Sequence, residues 1–318
     1  MPVAEKALIR GIRRRAGRSR GVIGVGDDCA CIRIPDGHEA LVTTDFSLEG
    51  IHFRREWQPA ASIGHRCLLR GLSDIAAMGG KPLAAFLSLA LPQRLPQAWT
   101  DQFLDGLLKL AGEFEVTLAG GDTAKSPGKI LADIVVLGSI PKGRAILRSG
   151  ARPGDRIFVT GALGGAAATL AMLREGDPKK ITATDLNQYF YPTPRIEVGR
   201  ILLAKRVASS MIDISDGLST ELAHICEESG VGAEIDPNAI PRALHKKSCT
   251  EVDLQTALHG GEDYELLFTA RPQKKIPPRI VGIPVTAIGQ IVRDRGMRLV
   301  ARGKSRKLRP GGWEHFRD

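Results

Sequence analysis

The chain has 318 residues and a formal charge of +10, and its 43% apolar and 25% charged composition is that of a globular protein able to bury a core without staples. Five cysteines (Cys29, Cys31, Cys67, Cys226, Cys249) are odd in number and form no Cys-x-x-Cys pair, which argues against a disulfide frame or zinc site and fits a reducing cytoplasm. The longest apolar run, Pro82 to Pro92, is too short for a membrane span, and the N-terminus shows no signal-peptide h-region.

Basic residues gather at both ends, from Arg10 to Arg20 and from Arg293 to Arg309. A nucleic-acid protein has such ends, and so does an enzyme for anionic metabolites. Aromatics, at 5%, do not interleave with the arginines, so no stacking surface for single strands is evident and no nucleic-acid partner is expected.

In chain order, Glu5 to Arg15 reads as an amphipathic helix, followed by the glycine-rich loop Gly24-Val-Gly-Asp-Asp28. Cys29 to Ile34 and Ala40 to Thr44 read as strands around a Pro35-Asp36-Gly37 turn, which puts Asp45 at a strand end. Ser62 caps a helix running to about Met78, with Ile63, Cys67, Leu68, Leu72 and Ile75 at helical spacing. Asp74 falls near its last turn, where the helix dipole disfavours an anion unless water or a cation compensates. Leu83 to Leu91 reads as a buried strand, Gln97 to Phe114 as a helix, Val116 to Ala119 as a short strand ending in Gly120-Gly-Asp-Thr123, and Ile130 to Ile140 as a strand.

Turn formers crowd Arg148 to Asp155 and mark a boundary between two domains, residues 1–145 and 146–318. Beyond it, Arg156 to Thr160 is a strand and Gly161 to Gly165 opens a helix of small residues. Pro194 suits the first position of another helix. Ser210 to Ile214 leads through Asp213-Ile-Ser-Asp-Gly217 into a helix from Leu218 to about Ser229, where Ser215 serves as a cap or as a ligand contact. Gly260-Gly-Glu-Asp-Tyr264 precedes a strand from Glu265 to Thr269, and Thr286–Val292 with Met297–Val300 read as a closing hairpin. Trp313 in the tail is a core plug or a ligand contact.

The carboxylates repeat a pattern. Asp27, Asp28, Asp45, Asp74, Asp122, Asp213 and Asp216 mostly follow strands beside Gly, Ser or Thr, and ligands of open α/β sheets collect at such ends. Carboxylate and hydroxyl oxygens without a Cys/His set point to several Mg²⁺ ions, not to zinc. Several Mg²⁺ ions imply a highly anionic ligand such as ATP, although neither a P-loop nor a protein-kinase signature set is present. Phosphoryl transfer asks mainly for alignment and charge neutralisation, so no side chain is assigned as covalent or acid–base catalyst.

The motifs Gly-Val-Gly-Asp-Asp-Cys-Ala, Thr-Thr-Asp-Phe-Ser-Leu-Glu-Gly-Ile-His-Phe, Leu-Ser-Asp-Ile-Ala-Ala-Met-Gly, Gly-Gly-Asp-Thr, Arg-Ser-Gly-Ala-Arg-Pro-Gly-Asp, Ile-Asp-Ile-Ser-Asp-Gly-Leu and Gly-Gly-Glu-Asp-Tyr-Glu-Leu, in this order, closely resemble the thiamine-monophosphate kinase family from about Gly24 to Trp313. The resemblance implies a two-domain α/β (α+β) fold of the aminoimidazole ribonucleotide synthetase type, with the N-terminal domain pairing in a homodimer and the C-terminal domain completing each site. It implies direct transfer of the γ-phosphoryl group of ATP to thiamine monophosphate. By matching motif, Asp28, Thr43, Thr44, Asp45, Asp74, Asp122, Asp213 and Asp216 would hold Mg²⁺. Gly121, Asp122, Arg148 and Ser215 would contact ATP, and His52, Glu262 and Trp313 the thiamine substrate. Gly71 departs from the asparagine expected before Leu-Ser-Asp, and Arg54 to Trp57 is unusually basic. The alternatives are a sister ATP-dependent enzyme with another acceptor and a basic nucleic-acid-binding protein.

Overall fold

The computed structural model describes residues 5–16, 22–23, 29–176, 182–245 and 250–316. The loop with Asp27 and Asp28 lies outside the described residues, as does Cys249. The chain forms two compact units, one of residues 1–75 and 80–143, the other of residues 76–79 and 144–318.

The first unit contains α1 (Glu5–Ala16), β1 (Val22–Ile23), β2 (Cys31–Ile32), β3 (His38–Leu48), α2 (Ala60–Ala77), β4 (Lys81–Pro92), α3 (Gln97–Glu113), β5 (Thr117–Ser126) and β6 (Leu131–Pro141). β1 pairs with β2, and the main sheet has the order β3-β6-β4-β5. Its β4–β5 pair is parallel and the other pairs antiparallel. Period-two alternation decides which face is sealed. Along β6, Ala132, Ile134 and Val136 are fully buried, while Asp133, Val135 and Leu137 between them are only half-buried. The sealed face carries α2: a Cβ on Gly71 would stand 2.5 Å from Val136 Cγ2, so the missing asparagine leaves room for this close packing. On β3, Val42 and Phe46 alternate onto the opposite face and are 67% and 56% exposed.

Several boundaries differ from those read in the sequence. β3 does not stop at Thr44, because it pairs with β6 along its whole length, from His38↔Pro141 to Leu48↔Leu131, and so Asp45 lies inside a strand. β5 likewise runs through Gly120 and Gly121 to Ser126, held by parallel pairing with β4, so Asp122 is also within a strand. Ser62 is not the cap of α2. The helix begins at Ala60, and the Ser62 hydroxyl donates to the Pro59 carbonyl at 2.9 Å.

The second unit contains β7 (Arg156–Thr160), α4 (Gly165–Glu175), α5 (Ala183–Phe190), α6 (Ile196–Ala204), β8 (Ala208–Ile214), α7 (Leu218–Ser229), β9 (Gly232–Ile235), β10 (Leu244–His245), β11 (Thr250–Glu251), α8 (Leu254–His259), β12 (Glu265–Ala270), β13 (Arg279–Ile280), β14 (Ile283–Val292), β15 (Gly296–Ala301) and β16 (Lys304–Leu308). Its main sheet has the order β16-β15-β9-β14-β7-β12-β8. β14 and β15 are therefore no hairpin: β9 lies between them, antiparallel to β14 and parallel to β15. Helix α6 starts at Ile196, two residues beyond Pro194. Helix α5 was not foreseen, although its capping box, Thr182 with Asp185, is a sequence signal.

An ion pair sits inside this unit. Arg195 donates to Glu265 through Nε at 2.7 Å and Nη2 at 2.5 Å, and Thr160 Oγ1 donates to Glu265 Oε2 at 2.5 Å. Glu265 is 4% exposed. Among the described residues, no helix is long and apolar enough to cross a membrane.

Candidate active site

In the first unit, β3 and α2 bring oxygen donors together. The Thr43 hydroxyl donates to Asp74 Oδ2, so the anion in the last turn of α2 has a hydrogen-bond donor there. Asp45, two residues along β3, shares the side of Thr43 by strand alternation. Its charge reaches the Cys67 thiol of α2, which burial, above all, pushes up to about 12. Thr44 points the other way, and its hydroxyl donates to Asp133 Oδ1 at 2.8 Å. The expected set is thus divided by the sheet, with Thr43, Asp45 and Asp74 on the α2 side and Thr44 on the other. Asp133 was missed in the sequence; the signal was a lone carboxylate in the apolar strand Leu-Ala-Asp-Ile-Val-Val.

On β5, Gly121 has φ of 143°, and a Cβ there would lie 1.8 Å from the Leu87 carbonyl oxygen, so no side chain fits. The backbone is bare next to Asp122, which is exposed and accepts from the Thr123 N–H at 2.8 Å. His52 sits in the turn after β3. The Leu48 N–H donates to its Nδ1 at 3.0 Å, which places the ring proton of the neutral imidazole on Nε2 and makes that atom a donor.

In the second unit, β8 delivers buried Asp213 to the junction with α7. Two stretches distant in sequence fasten to this junction by three backbone bonds. The Glu262 N–H donates to the Ser215 carbonyl at 2.7 Å, the Tyr264 N–H to the Ile214 carbonyl at 2.9 Å, and the Trp313 N–H to the Asp216 carbonyl at 3.0 Å. Glu262 adopts φ of 72°, a rare conformation for a non-glycine residue. Asp213, Ser215, Asp216, Glu262 and Trp313 are therefore gathered around one strand–helix turn, and the Trp313 side remains 51% exposed.

Glu221, in the first turn of α7, was not anticipated. Its Oε1 accepts from the Asp216 N–H at 3.2 Å and the Ser215 hydroxyl at 3.3 Å. Burial first, then the nearby Asp213 charge, push its carboxyl up to about 8, while the Arg148 charge acts in the opposite direction. Arg148 thus stands within electrostatic reach of the same junction. This crowding of anions fits a cation, and carboxylate with hydroxyl oxygens is a donor set for Mg²⁺. Among the described residues, no three His, Cys, Asp or Glu side chains are grouped so as to hold a metal ion.

Asp263, beside Glu262, has a different task. Its carboxylate accepts from the Gly164 N–H at 2.7 Å and the Ala166 N–H at 3.4 Å, at the start of α4. Burial nevertheless pushes its carboxyl up to about 7, with added repulsion from Glu265. The fold therefore binds this proton more tightly than the unfolded chain does, and the contribution of this carboxyl to stability is expected to fall as pH rises from about 4 to about 7. Asp263→Asn is expected to remove that slope, at most about 1.4 kcal/mol per pH unit, as read from urea denaturation across this range.

Residues 26–140 match the family model AIR synthase related protein, N-terminal domain, and residues 152–302 match its C-terminal domain. The chain is 38% identical to the thiamine-monophosphate kinase of Escherichia coli (strain K12) over 96% of this chain and 95% of that protein. It is similar to the crystal structure of thiamine-monophosphate kinase from Stenotrophomonas maltophilia K279a, with a TM-score of 0.83, 33% identity and coverage of 96% and 99% of the two chains. It is also similar to AaThiL complexed with AMPPCP and TMP, with a TM-score of 0.79, 29% identity and coverage of 98% and 97%.

Proposed function

The chain belongs to the AIR synthase related family and, within it, to the thiamine-monophosphate kinases, and on that premise we propose that it transfers the γ-phosphoryl group of ATP to thiamine monophosphate, giving ADP and thiamine diphosphate. The observation that carries this reading is the gathering of Asp213, Ser215, Asp216, Glu262 and exposed Trp313 at one strand–helix turn. It is supported by a relative of the same fold complexed with AMPPCP, a non-transferable ATP analogue, and TMP.

An oxygen of the substrate phosphate forms the new bond to the γ-phosphorus, and the bond to the bridging oxygen breaks, its electron pair leaving with ADP. A phosphate monoester loses its second proton near pH 6 (about 6), so the nucleophile is already anionic at neutral pH and no general base is required. The chemistry that Mg²⁺ would supply here is neutralisation of the negative charge on the phosphates. Asp45, Asp74 and Asp122 with Thr43 in the first unit, and Asp213 with Asp216 in the second, are the proposed ligands, joined by Asp28 from outside the described residues. Thr44 is the weakest member of the expected set, since its hydroxyl is engaged by Asp133 on the other sheet face. The bare backbone at Gly121, the Ser215 hydroxyl and the Arg148 guanidinium would contact ATP.

Trp313 offers a π face to the cationic thiazolium ring, Glu262 an opposite charge, and His52 its Nε2–H. Trp313→Ala is expected to raise the KM for thiamine monophosphate about tenfold, the worth of a roughly 1–2 kcal/mol cation–π contact, with the KM for ATP unchanged. Steady-state kinetics with each substrate varied in turn tests the reading, and equal losses for both substrates would overturn the role of Trp313.

The assembly in this reading is a homodimer. A second copy would cover the sheet face on which Val42 and Phe46 are exposed. The compartment is the cytoplasm, in keeping with cysteines that are free among the described residues.

A further inference from the structure

The tail that carries Trp313 is fastened to α7 at successive amides. The Gly311 N–H donates to Ser219 Oγ and the Gly312 N–H to Thr220 Oγ1, each at 3.2 Å, and the Trp313 N–H donates to the Asp216 carbonyl at 3.0 Å. A Cβ on Gly312 would lie 1.8 Å from the Asp216 carbonyl oxygen, so the approach is that of bare backbone. Ser219 is fully buried, and its Oγ is 2.8 Å from His259 Nδ1, at the end of α8. With the Ser219 oxygen accepting from Gly311, its hydroxyl proton can go to His259 Nδ1, which completes a chain from α8 through α7 to the tail. The outcome is a tethered backbone leading into a tryptophan that is 51% exposed.

Resting on the proposed kinase reading, we infer that Ser219, Thr220 and, through Ser219, His259 are positioning residues for Trp313: they set how its ring is presented to the cationic part of the substrate. A tethered backbone fixes the point from which the ring is presented before binding, so less ordering free energy opposes association. The Ser219 and Thr220 hydroxyls accept from the tail that carries Trp313, so on this inference their effect falls on the thiamine side of the reaction.

Thr220→Val keeps the shape of the side chain and removes the hydroxyl. It is expected to raise the KM for thiamine monophosphate about fivefold, the worth of one hydrogen bond, with kcat and the KM for ATP unchanged. Thr220→Ser restores the hydroxyl and the wild-type KM. In the Trp313→Ala background Thr220→Val is expected to have no further effect, because the residue through which it acts is gone. Ser219→Ala tests the same anchor and is compared at matched thermal stability, since its site is buried. An unchanged KM in Thr220→Val, or an equal rise with and without Trp313, would overturn the inference while leaving the kinase reading intact. If the unaltered chain forms no thiamine diphosphate in the same assay, both are overturned.

Discussion

Changing Asp122 to asparagine is expected to slow phosphoryl transfer severely while leaving the chain folded. The side chain is exposed on β5, and Oδ1 accepts from the Thr123 N–H at 2.8 Å, a bond the asparagine oxygen can make equally well. What the substitution removes is the negative charge that would hold Mg²⁺ against the phosphates. Loss of several kcal/mol of charge stabilisation corresponds to a fall in kcat of roughly 10³-fold. Turnover is followed by thiamine diphosphate formation, and folding by circular dichroism and thermal melting. Near-normal turnover in a folded variant would remove Asp122 from the metal set, whereas a collapsed melting curve would show that the carboxylate supports the fold.

The largest effect on stability is expected at Arg195. Its guanidinium meets Glu265 through Nε and Nη2, and Glu265 is 4% exposed. Arg195→Met fills much of the same volume but leaves a buried carboxylate facing Thr160 alone among these partners. Breaking a buried pair in this way costs about 3–5 kcal/mol, more than the pair itself contributes, because the remaining charge has lost its compensation. Denaturant titration is expected to show this loss, and the double variant Arg195→Met/Glu265→Gln to recover most of it. A single variant within about 0.5 kcal/mol of the parent, the range of an ordinary surface substitution, would mean that the pair is well solvated.

The parts of the fold legible in the sequence are those set by neighbours in the chain. The periodic apolar positions of α2 and α3 and the apolar runs of β4 and β6 stand in the structure close to where they were read. The junction of Ile212-Asp-Ile-Ser-Asp-Gly217 with α7 was legible because a strand, a glycine and a helix start are all local signals. Extent and pairing were not. β3 and β5 outrun their local signals because partners across the sheet hold them: glycine punctuates a strand only when no ladder carries it onward. The apparent hairpin of β14 and β15 is separated by β9, a long-range choice that no turn residue announces.

The same distinction divides the candidate site. Its carboxylates were visible as motifs, but their partners were not. Asp133 behind Thr44, Glu221 beneath Ser215 and Asp216, and the hydroxyls of Ser219 and Thr220 under the tail became apparent only through contacts remote in sequence. Glu262 and Asp263 adjoin in the chain but separate in role, one tied to the α7 junction and the other accepting at the start of α4.

The most direct test of the central claim is to incubate the purified protein with Mg-ATP and thiamine monophosphate and to quantify ADP and thiamine diphosphate in the same samples. The kinase account predicts the two products in equal amounts, formed together and both lost on chelation of the metal. ADP without thiamine diphosphate, or neither product with both substrates present, would contradict it.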